Sequence, residues 1–460
     1  MARQSFSVVR QLQQPIIIVF LQLSSRRHPS YQRHIIIQIQ SQNRNITSIT
    51  YNMPTTNNNN NSSGNDDSHT LDFIIVGGGL SGLVVARNLN NKYIVTTDDN
   101  SNIKNNKRKL RWKLFEATSI LGGRLQNDDA GRKIDLGGAW IWPPHQPTIM
   151  ESLVNSSTLG IQTFLQPGDD YDSSATTRIV GGAVEFVNKI YQELLTKSIV
   201  DSDKSCNSIQ VDCPVIAVRR NIDHSISVEL DSGEIVRANH VIFAVPPKIL
   251  SCNVSFHPKL SNVKSDAMSN SQTWMAGVTK VALVYRGASP QFWPLILRGG
   301  LISPRFRSPA FQVYDGSPFS SPSSDDTEKT SILTFFTLAS LSNQTNNDAM
   351  LAKDCAEQMC QSLSSDSILE TSEIRKFIHS FDEFYVKRWP QERYISNETD
   401  PTEISPHPQP KKALAKSEWD GTLLFAGTET DLHSPGVMEG AVGAAIRVTK
   451  ELSERLTIII

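Results

Sequence analysis

The chain has 460 residues, with 45 basic and 46 acidic side chains and a formal net charge of −1. This balance excludes a strongly basic nucleic-acid surface and a broad electrostatic attraction to membranes. The length is sufficient for two domains with a large core, and because no run of about 20 apolar residues occurs, no membrane-spanning helix is expected. The five cysteines include no Cys-x-x-Cys pair, so a reduced compartment and no metal site are predicted.

Residues 1–69 differ in composition from the rest of the chain. They hold six arginines and no acidic residue before Asp66, and Ser and Gln are abundant. Such a segment is typical of an organelle transit peptide, which predicts import into a mitochondrion or plastid. A secretory signal is the rival interpretation, although no clean small-residue cleavage site follows its apolar run. Translation from Met53 would instead leave the protein cytoplasmic, and residues 53–69 are predicted to be disordered.

A strand, a glycine-rich turn and a helix follow this leader. The apolar residues 71–76 predict the strand, and residues 80–90 predict the helix. The turn has the pattern G-x-G-x-x-G, which allows a tight bend, close approach to a pyrophosphate and helix–strand packing. The helix N-terminus offers free N–H groups to an anion. An ordinary glycine-rich turn is the alternative, and the predicted cofactor contacts are Gly77, Gly79, Leu80, Ser81 and Gly82.

A dinucleotide site of this type needs a carboxylate for the ribose hydroxyls about 20 residues further on. Glu116 ends the apolar pair Leu114-Phe115 but lies 34 residues after Gly82. Residues 98–113 are polar and are interpreted as a solvated loop that accounts for the excess. Asp98 and Asp99 are nearer the expected spacing and remain the rivals of Glu116.

The middle of the chain is rich in predicted strands. Residues 133–136 are predicted to be a strand that enters a Gly-Gly-Ala-Trp loop, and residues 279–285 form an alternating strand with Lys280 inside it. A buried ammonium costs several kcal/mol unless it is hydrogen-bonded or deprotonated. Lys280 is therefore either functional or on an exposed face, and the functional interpretation is preferred because perturbed lysines cluster at active sites.

Nucleotide-binding signals occur at the start, middle and end of the chain. Near the end, a short strand at 423–426 leads to the turn Gly427-Thr428-Glu429 and then to an Ala-rich helix from about Gly436. The predicted fold class is α/β: a Rossmann-type cofactor domain built from three chain segments, and a smaller α+β substrate domain with a mixed or antiparallel sheet. The predicted boundaries are 70–145, 178–255 and 415–460 for the cofactor domain, and 146–177 and 256–414 for the substrate domain.

Four motifs together resemble those of the flavin-containing, monoamine oxidase-like amine oxidase family. They are the glycine loop, Glu116-Ala117 with Gly122-Gly123-Arg124, residues 135–140, and Phe425 to Glu429 with the following helix. The resemblance covers residues 71–145, 178–250, about 275–285 and 380–452, and it implies FAD as the cofactor. Beyond the glycine loop, it implies cofactor contacts from Glu116, Gly123, Arg124, Gly138, Ala139, Trp140, Val215, Gly427, Thr428, Glu429, Val437 and Met438.

The resemblance also implies a reaction. Lys280 is similar to the family lysine that holds a water against flavin N5, and Trp389 to a tryptophan that lines the active site, although a core position is equally compatible with Trp389. The expected chemistry is hydride transfer from the carbon α to a neutral amine onto flavin N5, followed by imine hydrolysis and reoxidation by O2 to H2O2. The expected partners are a small-molecule amine and O2.

This chain also departs from the family pattern. No cysteine occurs between Trp389 and Leu423, so FAD is predicted to bind non-covalently. Val437 stands where one aromatic of the substrate cage is usual, and Tyr394 is a poor candidate for the other. Thr118 replaces an arginine usual after Glu-Ala. A flavoenzyme like carotenoid desaturase or protoporphyrinogen oxidase, and a flavin-binding protein with a degenerate site, remain alternative functions.

Overall fold

A computed structural model describes two separate units of the chain. In the first unit, Met1–Asp67, it describes two antiparallel strand pairs: β1 with β2 and β3 with β4. Their bounds are Ser7–Val9, Ile18–Phe20, His34–Gln40 and Ile46–Asn52. The predicted disorder of residues 53–69 lies outside the described residues. In the second unit, Ser68–Ile460, the described residues are 70–90, 92–96, 106–167, 175–200, 207–287, 293, 297, 309–319, 329–343, 346–363, 372–397, 407–456 and 458–459.

An eight-stranded sheet forms the centre of the second unit. Its order is β12-β8-β5-β15-β14-β13-β16, and β21 also pairs with β15. The bounds are Leu71–Val76 (β5), Trp112–Phe115 (β8), Ser208–Gln210 (β12), Val215–Arg220 (β13), Ile226–Leu230 (β14), Ile235–Phe243 (β15), Ser255–His257 (β16) and Leu423–Phe425 (β21). Strands β12, β8, β5, β15 and β21 run parallel, so their carboxyl ends meet at one edge, where nucleotide sites form in such sheets.

Helices cover both faces of this sheet. Buried apolar residues of α1, α3 and α10 share one core cluster with β5, and α4 and α5 lie on the other side. The helix bounds are Leu80–Leu89 (α1), Pro147–Ile149 (α2, continued by the π-helical turn Met150–Val154), Glu185–Val200 (α3), Pro247–Asn253 (α4), Asn262–Ser269 (α5), Ala339–Ser342 (α6), Asp348–Leu363 (α7), Ser372–Ile378 (α8), Lys412–Ala415 (α9) and Met438–Arg455 (α10).

A second, antiparallel sheet has the order β18-β19-β17-β20. Its strands are Val278–Arg286 (β17), Ala310–Asp315 (β18), Thr330–Leu338 (β19) and Glu383–Arg388 (β20). Helices α7 and α8 pack on one face of it. Two small sheets complete the unit: Trp140–Ile141 (β9), Thr163–Leu165 (β10) and Thr177–Ile179 (β11) in one, and Tyr93–Thr96 (β6), Asn106–Lys109 (β7) and Ile458–Ile459 (β22) in the other.

The predicted fold class is confirmed, since a Rossmann-like α/β sheet and a separate antiparallel sheet are both present. The boundaries between a cofactor and a substrate domain stay a prediction. No helix among the described residues combines the length and apolar character needed to cross a bilayer.

Two local predictions are corrected. Residues 133–136 form no strand: Lys133 has a φ of +64°, and the Asp128 carboxylate holds the segment as a loop by accepting from the Ile134 N–H at 2.8 Å. The polar stretch 98–113 is not all solvated loop. Its described part contains β7, where Arg108 forms an ion pair of 2.6 Å with Asp72 of β5.

A buried lysine that does not line the cavity described below, Lys264, gives a testable pH effect on stability. Lys264 of α5 donates to the carbonyl oxygens of Leu414 (2.9 Å) and Lys416 (2.5 Å), and its ammonium lies 3.7 Å from the Phe425 ring centroid. Burial lowers the pKa of Lys264 to about 7. The unfolded chain keeps this proton up to a pH of about 10, so the folded state gains stability as the pH rises from 7 to 10.

We expect Lys264→Met to flatten that rise by up to about 1.4 kcal/mol per pH unit. Urea unfolding at pH 7, 8 and 9 measures the free energy of unfolding of both proteins. Equal slopes in the two proteins would show that Lys264 does not titrate in this range.

Candidate active site

A cavity of about 460 Å³ opens at the carboxyl edge of the parallel strands. It extends from the glycine loop to Phe336 of the antiparallel sheet. Most of the predicted cofactor residues line it: Gly77, Gly79, Leu80, Ser81, Glu116, Gly123, Arg124, Gly138, Ala139, Trp140, Val215, Gly427, Thr428, Val437 and Met438. Gly82 and Glu429 are buried and do not line it. Among the described residues, no three His, Cys, Asp or Glu side chains converge as metal ligands.

The glycine loop has one position closed by packing and one that is open. A Cβ on Gly82 would lie 1.9 Å from the Gly77 carbonyl oxygen, so Gly82 is needed for the helix to approach the strand. A Cβ on Gly79 would meet nothing nearer than the Gly122 oxygen at 3.9 Å. Gly79 is the N-cap of α1, where backbone N–H groups lack intrahelical partners. The open space beside these donors fits the pyrophosphate of the predicted dinucleotide.

Glu116 stands at the carboxyl end of β8, beside the glycine loop. Its Oε2 accepts from the Gly78 N–H at 2.6 Å, and its Oε1 accepts from the N–H and hydroxyl of Thr118 at 2.9 and 2.8 Å. These bonds fix the carboxylate at the cavity wall, where it can accept from ribose hydroxyls. The rivals Asp98 and Asp99 lie outside the described residues. Thr118, which replaces the family arginine, helps to position Glu116.

Arg124 and Glu429 join the two ends of the cofactor region. Arg124 Nη1 lies 2.7 Å from Glu429 Oε1, and the glutamate side chain is fully buried. Apart from this ion pair, neither carboxylate oxygen has a hydrogen-bond partner. Buried polar atoms are nearly always hydrogen-bonded, and unpaired ones are costly. Two such acceptors fit a ligand that brings hydroxyl donors, as the ribityl chain of FAD does.

The C-terminal strand and helix close the cavity from the other side. The Ser81 hydroxyl donates to the Ala426 carbonyl oxygen and so ties the glycine loop to β21. Val437 and Met438 bring the N-terminus of α10 to the cavity. A helix N-terminus carries a partial positive charge, which stabilises a negative charge nearby. This geometry suits the pyrimidine edge of a reduced flavin.

Lys280 lies beneath the loop 135–138. Its Nζ donates to the carbonyl oxygens of Asp135 (3.0 Å) and Gly137 (2.6 Å) and to the Tyr314 hydroxyl (3.1 Å). The side chain is fully buried, which removes the exposed-face interpretation. Burial lowers the pKa of Lys280 to about 7, and the Asp135 carboxylate opposes this. Lys280 does not itself line the cavity; Gly137, which accepts from it, does.

Trp389 is a core residue in this structure and does not line the cavity. It is fully buried, packs with Met275 and Val278, and its Nε1 donates to the Leu136 carbonyl oxygen at 2.9 Å. Trp389 supports the loop through this hydrogen bond to Leu136. The placement at the active-site wall is therefore corrected to a placement behind it.

Other aromatic residues form the wall towards the antiparallel sheet. Tyr394 lines the cavity, against the sequence-based expectation, and the rings of Trp274 and His407 lie 4.3 Å apart. Burial lowers the pKa of His407. Trp142 shares the wall with Trp140, and the i, i+2 spacing of the two in an extended stretch could have indicated this. We call Trp140, Trp142, Trp274, Phe336, Tyr394 and His407 the aromatic wall; Phe115 lines the cavity at the end of β8, beside Glu116.

Two alanine substitutions should separate folding from cofactor binding. We expect Gly79→Ala to leave the melting temperature of the apoprotein within a few degrees of wild type, because its Cβ would meet only the Gly122 oxygen, at an ordinary contact distance of 3.9 Å. If the pyrophosphate binds in this open space, the same Cβ would intrude on it, so FAD affinity should fall by about tenfold or more, the equivalent of about 1.4 kcal/mol.

Gly82→Ala is the contrasting variant, since its Cβ would overlap the Gly77 oxygen. It should lower both the melting temperature and FAD affinity. Calorimetry of the apoprotein and fluorescence titration with FAD measure the two quantities. Normal FAD affinity in Gly79→Ala would place the pyrophosphate elsewhere.

Comparisons with known proteins agree with this geometry. Residues 176–453 match the family model described as flavin containing amine oxidoreductase, and residues 75–156 match an NAD(P)-binding Rossmann-like domain. The chain is similar to amine oxidase [flavin-containing] B of Canis lupus familiaris (25% identical over 249 residues, 54% of this chain) and of Bos taurus (26% over 247 residues, 53% of this chain). The matched stretch spans 43% of the length of each relative.

Solved structures show the same fold. A wild-type putrescine oxidase bound to putrescine superposes with a TM-score of 0.56 at 16% identity, covering 84% of this chain and 99% of its own. Cyclohexylamine oxidase from Brevibacterium oxydans IH-35A gives a TM-score of 0.57 at 15% identity with the same coverage. The family model spans more than half of the chain, and its motifs converge on one cavity. The chain therefore belongs to the flavin-containing amine oxidoreductase family.

Proposed function

We propose that this protein oxidises a small amine with bound FAD as the electron acceptor. The observation that carries the proposal is the buried Lys280, which holds the cavity-lining loop 135–138 from behind in a chain of the flavin-containing amine oxidoreductase family. FAD is the cofactor of that family. The fold neighbours include an oxidase bound to putrescine and a cyclohexylamine oxidase, which supports an amine as the substrate class.

The residues in and around the cavity fit FAD in an extended pose. Glu116 and Val215 would hold the adenosine end, the open space at Gly79 the pyrophosphate, and Arg124 with Glu429 the ribityl region. The N-terminus of α10 would face the flavin ring. When bound, the flavin ring would supply the redox chemistry: it would accept the hydride of the substrate's α C–H bond and pass the two electrons to O2, which with the proton lost from the amine gives H2O2.

Non-covalent attachment is part of the proposal. The cavity-lining cysteine among the described residues is Cys213, which lies two residues from Val215 at the adenosine end. No cysteine occurs between Trp389 and Leu423, where the family carries its linking thiol. Acid precipitation should therefore release all FAD into the supernatant.

The chain's own residues have three tasks in this reaction. The aromatic wall binds the neutral amine and excludes water, which strengthens the electrostatic interactions inside. The N-terminus of α10 stabilises negative charge at the pyrimidine edge. Lys280, with a pKa of about 7, titrates near neutral pH behind the loop 135–138 and acts on the cavity through Gly137, which accepts from it and lines the cavity.

Amine-dependent formation of H2O2 by the purified full-length protein tests the proposal. Primary monoamines, diamines and polyamines should be compared, with O2 uptake and peroxide measured together. Equal amounts of O2 consumed and H2O2 formed support an oxidase. Turnover of an amine only with an artificial electron acceptor would indicate a dehydrogenase, and turnover of a polyene or porphyrinogen but of no amine would reject the proposal.

A further inference from the structure

One buried ion pair, Arg178 with Asp135, has no role in the reaction proposed so far. Arg178 lies in β11, and its side chain is 1% exposed. Its Nη1 donates to the carbonyl oxygens of Asp315 (3.2 Å) and Ser317 (2.8 Å), and its Nη2 donates to the Gly316 oxygen (3.2 Å) and to Asp135 Oδ2 (3.2 Å). One guanidinium thus joins the end of β18 in the antiparallel sheet to the start of the cavity-lining loop.

Two different side chains bind Asp135: Arg178 donates to its carboxylate, and Lys280 donates to its carbonyl oxygen. Its Oδ1 accepts from the Ala183 N–H at 2.7 Å, while its carbonyl oxygen accepts from Lys280 Nζ at 3.0 Å. A Cβ on Gly182 would lie 2.9 Å from Oδ1, and Gly182 has a φ of +89°. The turn at Gly182 therefore has no room for a side chain between this carboxylate and Asn127, whose Oδ1 would lie 2.6 Å from the same Cβ.

We propose that Arg178 is a positioning residue of this site: by anchoring Asp135 to the end of β18, it fixes the loop 135–138 as the wall of the cofactor cavity and orients Lys280. The part that concerns Lys280 rests on the proposed function. The anchoring of the loop does not, because it follows from the buried bonds alone.

Removal of the guanidinium has a structural and an electrostatic consequence. The structural one is an unpaired buried carboxylate, which destabilises its surroundings strongly. Asp135 would then turn towards water and release the Ala183 N–H. The loop that leads to Gly137 and Gly138 would lose its side-chain anchor and open more often.

The electrostatic consequence concerns the pKa of Lys280. The charged or titratable groups around Lys280 are Asp135 on the loop, Arg178 on β11, Tyr314 and Asp315 on β18, and Lys387 on β20, whose ammonium is paired with Glu392 at 2.5 Å. Arg178 lowers the pKa of Lys280 and Asp135 raises it. Loss of Arg178 removes this repulsion, which raises the pKa of Lys280.

Hydrogen exchange of the full-length protein tests the anchoring of the loop 135–138 and requires no measurement of enzymatic activity. Arg178→Met should accelerate exchange of amides in residues 135–142 and at Ala183 by about fivefold or more, and Arg178→Lys, which keeps a charge but not the fork of donors, by less. Arg219→Met is the matched control, because Arg219 is 52% exposed and pairs with Glu229 away from the cavity. Unchanged exchange in Arg178→Met would overturn the proposal.

If Arg178→Met does not fold, the double variant Asp135→Asn with Arg178→Met tests whether Arg178 anchors the loop 135–138. It removes both members of the buried ion pair, so Asp135 carries no unpaired carboxylate, and it should still show accelerated exchange in residues 135–142. Wild-type exchange in the double variant would likewise reject the anchoring role.

A pH titration of the FAD spectrum tests the link to Lys280. The absorbance of the oxidised, FAD-loaded protein is followed from pH 5.5 to 9.5 without substrate. Titration of Lys280 should change this absorbance in one pH transition. The transition should disappear in Lys280→Met, move to higher pH in Arg178→Met, and move less in Arg178→Lys. A transition that survives Lys280→Met contradicts the role proposed for Lys280, and hydrogen exchange then decides the role of Arg178 separately. A transition that Lys280→Met abolishes and Arg178→Met leaves in place contradicts the orientation of Lys280 by Arg178.

Discussion

Replacement of Lys280 by methionine is expected to slow amine-driven reduction of the bound flavin by about 100-fold or more, the size typical of a lost proton-transfer group. Methionine fills a similar volume but cannot donate to the oxygens of Asp135, Gly137 and Tyr314. It also removes the group with a pKa of about 7 next to the loop. Stopped-flow absorbance under anaerobic conditions measures the rate at saturating amine.

The matched control is Lys264→Met. Lys264 is also buried, its pKa is also lowered to about 7, and it lies outside the cavity lining. The control should change the pH dependence of stability but leave the rate of flavin reduction within about twofold of wild type. An unchanged rate in Lys280→Met, with FAD bound in full, would show that Lys280 has no part in the reaction.

The second large effect is expected on cofactor binding. Glu429→Gln should weaken FAD binding by about 100-fold, because hydrogen bonds to charged groups contribute about 1.5–3 kcal/mol each. The change leaves Arg124 without its ion-pair partner and replaces one of two buried acceptor oxygens by a donor. Fluorescence titration of the apoprotein with FAD gives the dissociation constant.

An exposed ion pair provides the comparison for this variant. Glu357 of α7 lies 2.6 Å from Arg375, and both side chains are more than a third exposed. Such surface pairs contribute little, so Glu357→Gln should leave FAD affinity unchanged. Equal affinities for wild type and Glu429→Gln would remove Glu429 from the cofactor site.

The cofactor half of the fold could be predicted because its signals are local. The apolar strand, the glycine turn and the helix from Leu80 are contiguous. The conformation of each follows from the backbone or packing requirements of a few neighbouring residues. In residues 133–136 polar and apolar side chains alternate as they do in a strand, and this pattern predicts a strand that the structure lacks. The loop conformation there depends on Asp128 and on the φ of Lys133, which periodicity does not reveal.

The site was predictable only in part, for a related reason. Lys280 stands out because a charge in an apolar strand needs an explanation, and Glu116 because it ends a strand. Arg178 has no such signal, since its partners are 43 and 137 residues distant in the chain. Trp274, Tyr394 and His407 reach the wall from irregular segments, so no pattern of spacing brings them together.

The most direct test of amine oxidation is an anaerobic titration of the purified full-length protein with its bound FAD. The absorbance of the oxidised flavin is followed while primary monoamines, diamines and polyamines are added in turn, and dithionite is added last to show that the flavin can be reduced. Bleaching by one class of amine, reversed on admission of O2, is the expected result and names the substrate class. A flavin that dithionite reduces and no amine bleaches would contradict the proposed function.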